Sequence, residues 1–185
     1  KPDVIYFLAA QSSVREAWHD PVETVEVNLV AGVHFLEILR RSWRKARLLI
    51  FSSGTVYGLT HLRGIKLKES APLAPKDPYG VSKMGLDFFA RLYAKVFGVD
   101  AVILRLSNLV GPGQSAVFSL SNFGYQLAGM EKGRLKPVLQ VGSIQAKRDY
   151  LDVRDSARAL ALASVKAEPG GVYNIASGTV RTLED

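Results

Sequence analysis

The chain has 185 residues, of which 48% are hydrophobic, a formal net charge of +7 and no cysteine. That length and composition suit one globular domain with a core and do not suit a disordered chain. Without cysteine there is no disulfide framework and no thiolate metal site, and a reducing cytoplasm is the expected location. No apolar run approaches the ~20 residues of a membrane span, so no membrane partner is expected. His19, His34 and His61 lack metal-ligand spacing, so no metal is expected.

Residues 4–10 form a continuous apolar run of strand length, as in a parallel strand buried on both faces. It ends in small residues, Ala9 to Ser13, which let a ligand approach the backbone or allow tight core packing. Asp20 and Pro21 then announce a helix, the first as N-cap and the second at the opening position, with Glu23 reaching back. Val22, Val25, Leu29, Val33, Leu36 and Leu39 recur at helical spacing over residues 21–41, and Asn28 interrupts them with a polar group that needs a partner if buried. Arg40, Arg41, Arg44, Lys45 and Arg47 gather around Trp43 at the end of this helix. They suit a solvated helix terminus, where cations meet the negative end of the dipole; a basic nucleic-acid-binding module is the competing reading.

Residues 48–53 form a second apolar strand that runs into the hydroxyl residues Ser52, Ser53 and Thr55. In open parallel sheets ligands bind at the carboxyl ends of strands, so Ser53 is delivered to a site. A long loop is expected over 59–78, then a helix over 79–97 that opens with Pro78, Tyr79, Gly80, Val81, Ser82 and Lys83. Four residues apart on a helix, Tyr79 and Lys83 share a face. A tyrosine used at neutral pH needs its pKa lowered by about 3 from ~10, or roughly 4 kcal/mol, and a nearby ammonium can supply much of that. A tyrosine and lysine at this spacing are also an ordinary surface pair, and it is Ser53 that makes a triad plausible.

Residues 101–106 read as a third buried strand. Gly111, Gly113 and Ala116 formally match a dinucleotide-binding turn, but Pro112 removes a backbone N–H from the turn and no acidic strand end follows. A helix is expected over 118–132, a short strand over 138–141, a helix over 156–166 and a strand over 172–175. Strands alternate with helices, which predicts a mainly parallel α/β sheet. Both ends look cut from a longer chain, because Lys1 leads directly into a strand and residues 182–185 resemble a helix cap.

Together, Leu8-Ala9-Ala10-Gln11, Ser52 to Gly58, Pro78 to Lys83, Arg105-Leu106-Ser107-Asn108 and Arg148-Asp149-Tyr150 resemble the extended short-chain dehydrogenase/reductase family. The resemblance is to its nucleotide-sugar epimerases, dehydratases and reductases. Residues 9–14, 111–114 and 148–155 look most like the GDP-mannose branch, which holds GDP-mannose 4,6-dehydratases and GDP-4-keto-6-deoxymannose reductases.

The resemblance implies a Rossmann-like, doubly wound, mainly parallel sheet, with the first strands and part of the substrate region outside these residues. Residues 1–110 and 150–177 would belong mainly to that sheet and its helices, and 111–149 to a nucleotide-sugar-binding segment. It implies NAD or NADP as cofactor, NADPH for a reductase, and a nucleotide-diphosphate sugar as substrate. Leu8, Ala9, Ala10, Tyr79 and Lys83 would meet the cofactor. Tyr79 would exchange a proton with the sugar O4, Lys83 would lower its pKa and bind the nicotinamide ribose, and Ser53 would hydrogen-bond O4. Asn108 and Arg148 would hold the diphosphate, against the plainer roles of a turn residue and a salt bridge to Asp149 or Asp152. A homodimer through helices 21–41 and 79–97 is also implied. A dehydratase of this family carries Glu where this chain has Thr55, so the expected activity is a C4 reductase or epimerase ahead of a dehydratase; a catalytically silent dimeric scaffold is a further alternative.

Overall fold

A computed structural model describes residues 1–43, 45–63 and 67–184. Four strands, β1 (Val4–Phe7), β2 (Arg47–Ser53), β3 (Ala101–Leu106) and β6 (Val172–Ile175), form one parallel sheet in the order β1-β2-β3-β6. The continuous apolar runs follow from burial on both faces. Leu48, Ile50, Ala101 and Ile103 pack with Leu36, Leu39, Leu86, Ala90 and Tyr93 on one side. Their alternates Leu49, Val102 and Leu104 pack with Ala167, Leu160 and Ala163 on the other. The layers are helix, sheet and helix, the doubly wound arrangement expected from the alternation of elements.

The chain between β1 and β2 holds α1 (Val14–His19), α2 (Pro21–Val25), a π-helical turn (Glu26–Val30) and α3 (Ala31–Ser42). Asp20 caps α2 by accepting from the Glu23 N–H at 2.9 Å, with Pro21 in the first turn. The helix expected over 21–41 is therefore present, but widened at Glu26–Val30. The α1 helix lay outside the sequence reading, although Ser13 and Glu16 have the spacing of a capping box and Ser13 does accept from the Glu16 N–H.

After β2 comes a 3₁₀ segment (Gly54–Arg63), where an unbroken loop was expected over 59–78. It kinks at Gly58, whose φ of 65° and 2.0 Å distance from a built Cβ to the Ala74 carbonyl leave room only for glycine. Helix α4 (Pro78–Phe97) is capped by Asp77, which accepts from the Gly80 N–H at 2.7 Å, and ends at left-handed Gly98.

The remaining elements are β4 (Asn108–Val110), α5 (Ser119–Glu131), β5 (Arg148–Asp152), α6 (Val153–Lys166) and β7 (Val180–Arg181). Strands β4 and β5 pair in parallel and β7 joins β5 antiparallel, a small second sheet that the sequence reading did not contain. The strand expected over 138–141 does not form. Its neighbourhood is stitched instead to α5, where the Gln126 side chain bonds both the N–H and the carbonyl of Gln140, and Val138 and Val141 face outward. Among the described residues no helix is long and apolar enough to cross a membrane.

Candidate active site

The carboxyl end of β2 sets the first residue of the site. Ser53 closes the strand, and the chain turns back so that Thr55 addresses it twice, its N–H lying 3.2 Å and its Oγ1 3.0 Å from Ser53 Oγ. The second contribution comes from the first turns of α4. Gly80 lets this helix approach closely, since a Cβ there would stand 3.3 Å from the Thr55 carbonyl and 2.9 Å from Pro75. Tyr79 is thereby held at Ser53. Lys83, one turn on, is buried with its Nζ 5.9 Å from the Tyr79 ring centroid and donating to the Phe51 carbonyl at 2.9 Å. Residues 53, 79 and 83, picked from a strand end and from a four-residue helical spacing, thus lie together.

Burial sets the electrostatics here. It drives the Lys83 ammonium down to about 8 from its ordinary 10.5. It also pushes the Tyr79 phenol above its usual value, while a hydrogen bond with Ser53 pulls it back and the Asp77 carboxylate pushes it up further. The helical spacing predicts that Lys83 acidifies the phenol. The direction found is the opposite, because desolvation outweighs the Ser53 bond and the ammonium is engaged by a backbone carbonyl over the ring face.

Behind these residues lies a polar scaffold. Asn28 is buried in the π-helical turn; its side chain accepts from the Gln11 N–H and donates to the Gln11 carbonyl, both at 2.9 Å, and reaches Ser82 Oγ at 3.1 Å. Ser82 in turn donates to the Tyr79 carbonyl at 2.7 Å. Asn28 was legible as a polar interruption of an apolar face, but partners 17 and 54 residues away were not. A second buried network centres on Arg105, which bonds Asp87 at 2.8 Å, the Tyr57 hydroxyl at 2.8 Å and the Glu69 carbonyl at 2.9 Å. Burial works against its charge, yet the hydrogen bonds it donates to Asp87 and Tyr57 hold the guanidinium above its usual pKa. Tyr57 passes the chain on to Asn174 of β6 at 2.7 Å.

The remaining candidates occupy the same end of the fold. Strand β1 stops at Phe7, so Leu8, Ala9 and Ala10 leave the strand and lie exposed or half-buried beyond its carboxyl end, beside β2. Asn108 is exposed on β4, two residues past Leu106, the register partner of Ser53. Arg148 opens β5 and donates to the Lys147 carbonyl at 2.7 Å. The salt bridge to Asp149 or Asp152 is not formed. Asp149 receives the N–H groups of Ser177 and Gly178, and Asp152 pairs with Arg154, which holds its carboxyl well below the usual range.

Gly111 and Gly113 turn the chain away from β4. A Cβ on Gly111 would collide with Val153 at 2.4 Å, so this close approach serves helix–sheet packing. Three cations of the basic segment are held in ion pairs. Glu37, held down to about 2 by hydrogen bonds first from Arg40 and then from Tyr93, also pairs with Arg41, and Arg47 pairs with Asp100. Arg44 lies outside the described residues.

The profile of the family described as GDP-mannose 4,6 dehydratase matches residues 1–185. GDP-6-deoxy-D-mannose reductase of Pseudomonas aeruginosa is 32% identical over 184 residues, which are 100% of this chain and 60% of that protein. A dTDP-glucose 4,6-dehydratase of Neisseria gonorrhoeae is 29% identical over 190 residues, covering 98% of this chain and 54% of the relative. The structure of RMD from Pseudomonas aeruginosa complexed with NADPH superposes with a TM-score of 0.94 at 33% identity, covering 99% of this chain and 63% of that one. The Thermus thermophilus UDP-glucose 4-epimerase complex with NAD gives 0.85 at 32% identity, covering 98% and 58%. The chain therefore spans little more than half the length of these relatives. Sheet and sequence agree: the chain belongs to the GDP-mannose 4,6 dehydratase family, among the Rossmann-type nucleotide-sugar reductases, dehydratases and epimerases.

Proposed function

We propose that the protein carrying this chain reduces the C4 ketone of a nucleotide-diphosphate hexose, most like a GDP-4-keto-6-deoxymannose reductase. The observation that carries the reading is the convergence of Ser53, Tyr79 and Lys83 at the carboxyl end of the sheet, with a threonine hydroxyl where a dehydratase would present a carboxylate. Removal of water across C5 and C6 needs a base at that position, and a threonine is not one.

Tyr79 is the proton donor. Burial keeps its phenol protonated at neutral pH, as a group that must give a proton to a ketone oxygen requires. Ser53 donates a hydrogen bond to the same oxygen and steadies the charge that develops on it. NADPH, when bound, supplies the hydride to C4. The carbonyl then becomes a secondary alcohol, with the proton from Tyr79 on its oxygen. The residues fit such a cofactor. Lys83 has three donors and the Phe51 carbonyl occupies one, which leaves donors for ribose hydroxyls, and Ala9 and Ala10 offer only methyl groups beyond β1. Asn108 and Arg148 hold the diphosphate, for which a guanidinium is well shaped, and residues 111–149 contribute to the nucleotide-sugar side of the cleft. A second copy of the chain covers the apolar face of α2, α3 and α4.

The test is product analysis with the complete polypeptide. Supplied with NADPH and the GDP-4-keto-6-deoxy sugar, it should form the 6-deoxyhexose with one NADPH oxidised per sugar. A 4-keto product from GDP-mannose would make it a dehydratase, and interconversion of C4 epimers without net cofactor consumption would make it an epimerase.

A further inference from the structure

A hydroxyl oxygen has two acceptor sites and one proton. At Ser53 both acceptor sites are engaged by the same residue, since the Thr55 N–H and the Thr55 hydroxyl both donate to Oγ, at 3.2 and 3.0 Å. What Ser53 has left to offer is its own O–H. The Thr55 backbone lies under the first turn of α4, where a Cβ at position 80 would stand 3.3 Å from its carbonyl. The arrangement links three groups in one direction: Thr55 gives to Ser53, and Ser53 gives to the phenol oxygen of Tyr79 or to an oxygen of the substrate beside it.

We propose that Thr55 is a positioning residue that fixes Ser53 as a hydrogen-bond donor, so that the site selects an acceptor oxygen, a ketone at C4, over an alcohol. This deepens the reductase reading and rests on it. A ketone oxygen takes the Ser53 and Tyr79 protons together, whereas an alcohol entering the same place meets two donors and must turn its own proton elsewhere. Acceleration comes from preorganisation: the Ser53 O–H points at the oxygen before charge develops there.

The experiment uses the complete enzyme and compares wild type, Thr55→Val, Thr55→Ser and Tyr79→Phe. Initial rates are read in both directions, ketone reduction with NADPH and alcohol oxidation with NADP, across a pH series. Valine keeps the shape and the N–H and removes the hydroxyl. Thr55→Val should lower kcat for ketone reduction about tenfold, the worth of one oriented hydrogen bond, with KM for the nucleotide sugar within about twofold. It should lower kcat/KM for alcohol oxidation by the same factor, as the unchanged equilibrium constant requires, with the KM for the alcohol falling, and move the pH limb governed by Tyr79 upward. Thr55→Ser should restore all three. Wild-type kinetics in Thr55→Val, alongside an inactive Tyr79→Phe, would overturn the role of Thr55 and leave the reductase reading intact. Equal losses in Thr55→Ser and Thr55→Val would also overturn it, since packing rather than the hydroxyl would then be responsible. Full turnover by Tyr79→Phe would overturn the reading of the site itself. If valine prevents folding, Thr55→Ala reads the same comparison.

Discussion

Lys83 shows at the scale of one residue how function is held against stability. Its pKa falls from 10.5 to about 8 because the ammonium is buried, a difference worth roughly 3 kcal/mol at neutral pH. The unfolded chain holds its proton up to about 10.5, so between 8 and 10.5 the unfolded state binds more protons and stability rises with pH. Below 8 both states are protonated and the full penalty applies. Lys83→Met should therefore be more stable than wild type at pH 7 by about 1–3 kcal/mol, after loss of the Phe51 hydrogen bond is counted. The advantage should shrink toward pH 10, as urea titrations at the two pH values would show, while activity is lost. Equal stability at both pH values would place the ammonium in water. The sequence made the lysine visible through its helical spacing from Tyr79. It could not show that desolvation would dominate over mutual charge effects, because that depends on what packs around the pair.

Helix α4 was the most legible element, expected over 79–97 behind Pro78 from the apolar band along its length and found over Pro78–Phe97. Its polar anchor to the sheet was hidden. Asp87 and Arg105 form a fully buried pair between α4 and β3 that also carries Tyr57, Asn174 and the Glu69 carbonyl. Neither residue advertises this in a linear reading, since an Asp in a helix and an Arg in a strand are each ordinary on a surface. Removing one partner strands a charge in the core, so Asp87→Ala should cost about 3–5 kcal/mol in chemical denaturation, whereas Asp87→Leu with Arg105→Met should recover most of it. A loss below about 1 kcal/mol in the single variant would show the pair to be solvated. The small sheet of β4, β5 and β7 escaped for a related reason. Its strands are two to five residues long, too short for an alternating pattern, and their partners are more than 25 residues apart.

For the whole molecule, the doubly wound sheet was readable because each central strand is buried on both faces and so is written as an unbroken apolar run. The outer surface is less ordinary. Phe88, Leu92 and Val96 on α4, Val22 on α2, Ile38 on α3 and Val30 in the π-helical turn between those two are each more than 40% exposed, and exposed apolar side chains at helical spacing suit a partner. If a second copy covers them, sedimentation should give twice the polypeptide mass, and Leu92→Glu should return the protein to the monomer without unfolding; a monomeric wild type would remove the dimer from the account.

The central claim is that the proton reaching the sugar oxygen comes from Tyr79, with the Ser53 hydroxyl and the Lys83 cation around it. Its most direct test is NADPH oxidation by the complete polypeptide with the 4-keto sugar, comparing wild type with Tyr79→Phe. The account predicts at least a hundredfold loss of kcat with cofactor binding retained, in line with the usual contribution of a general acid of about 10²–10⁴. Turnover within a few-fold of wild type would contradict it, and the proton donor would have to be sought elsewhere.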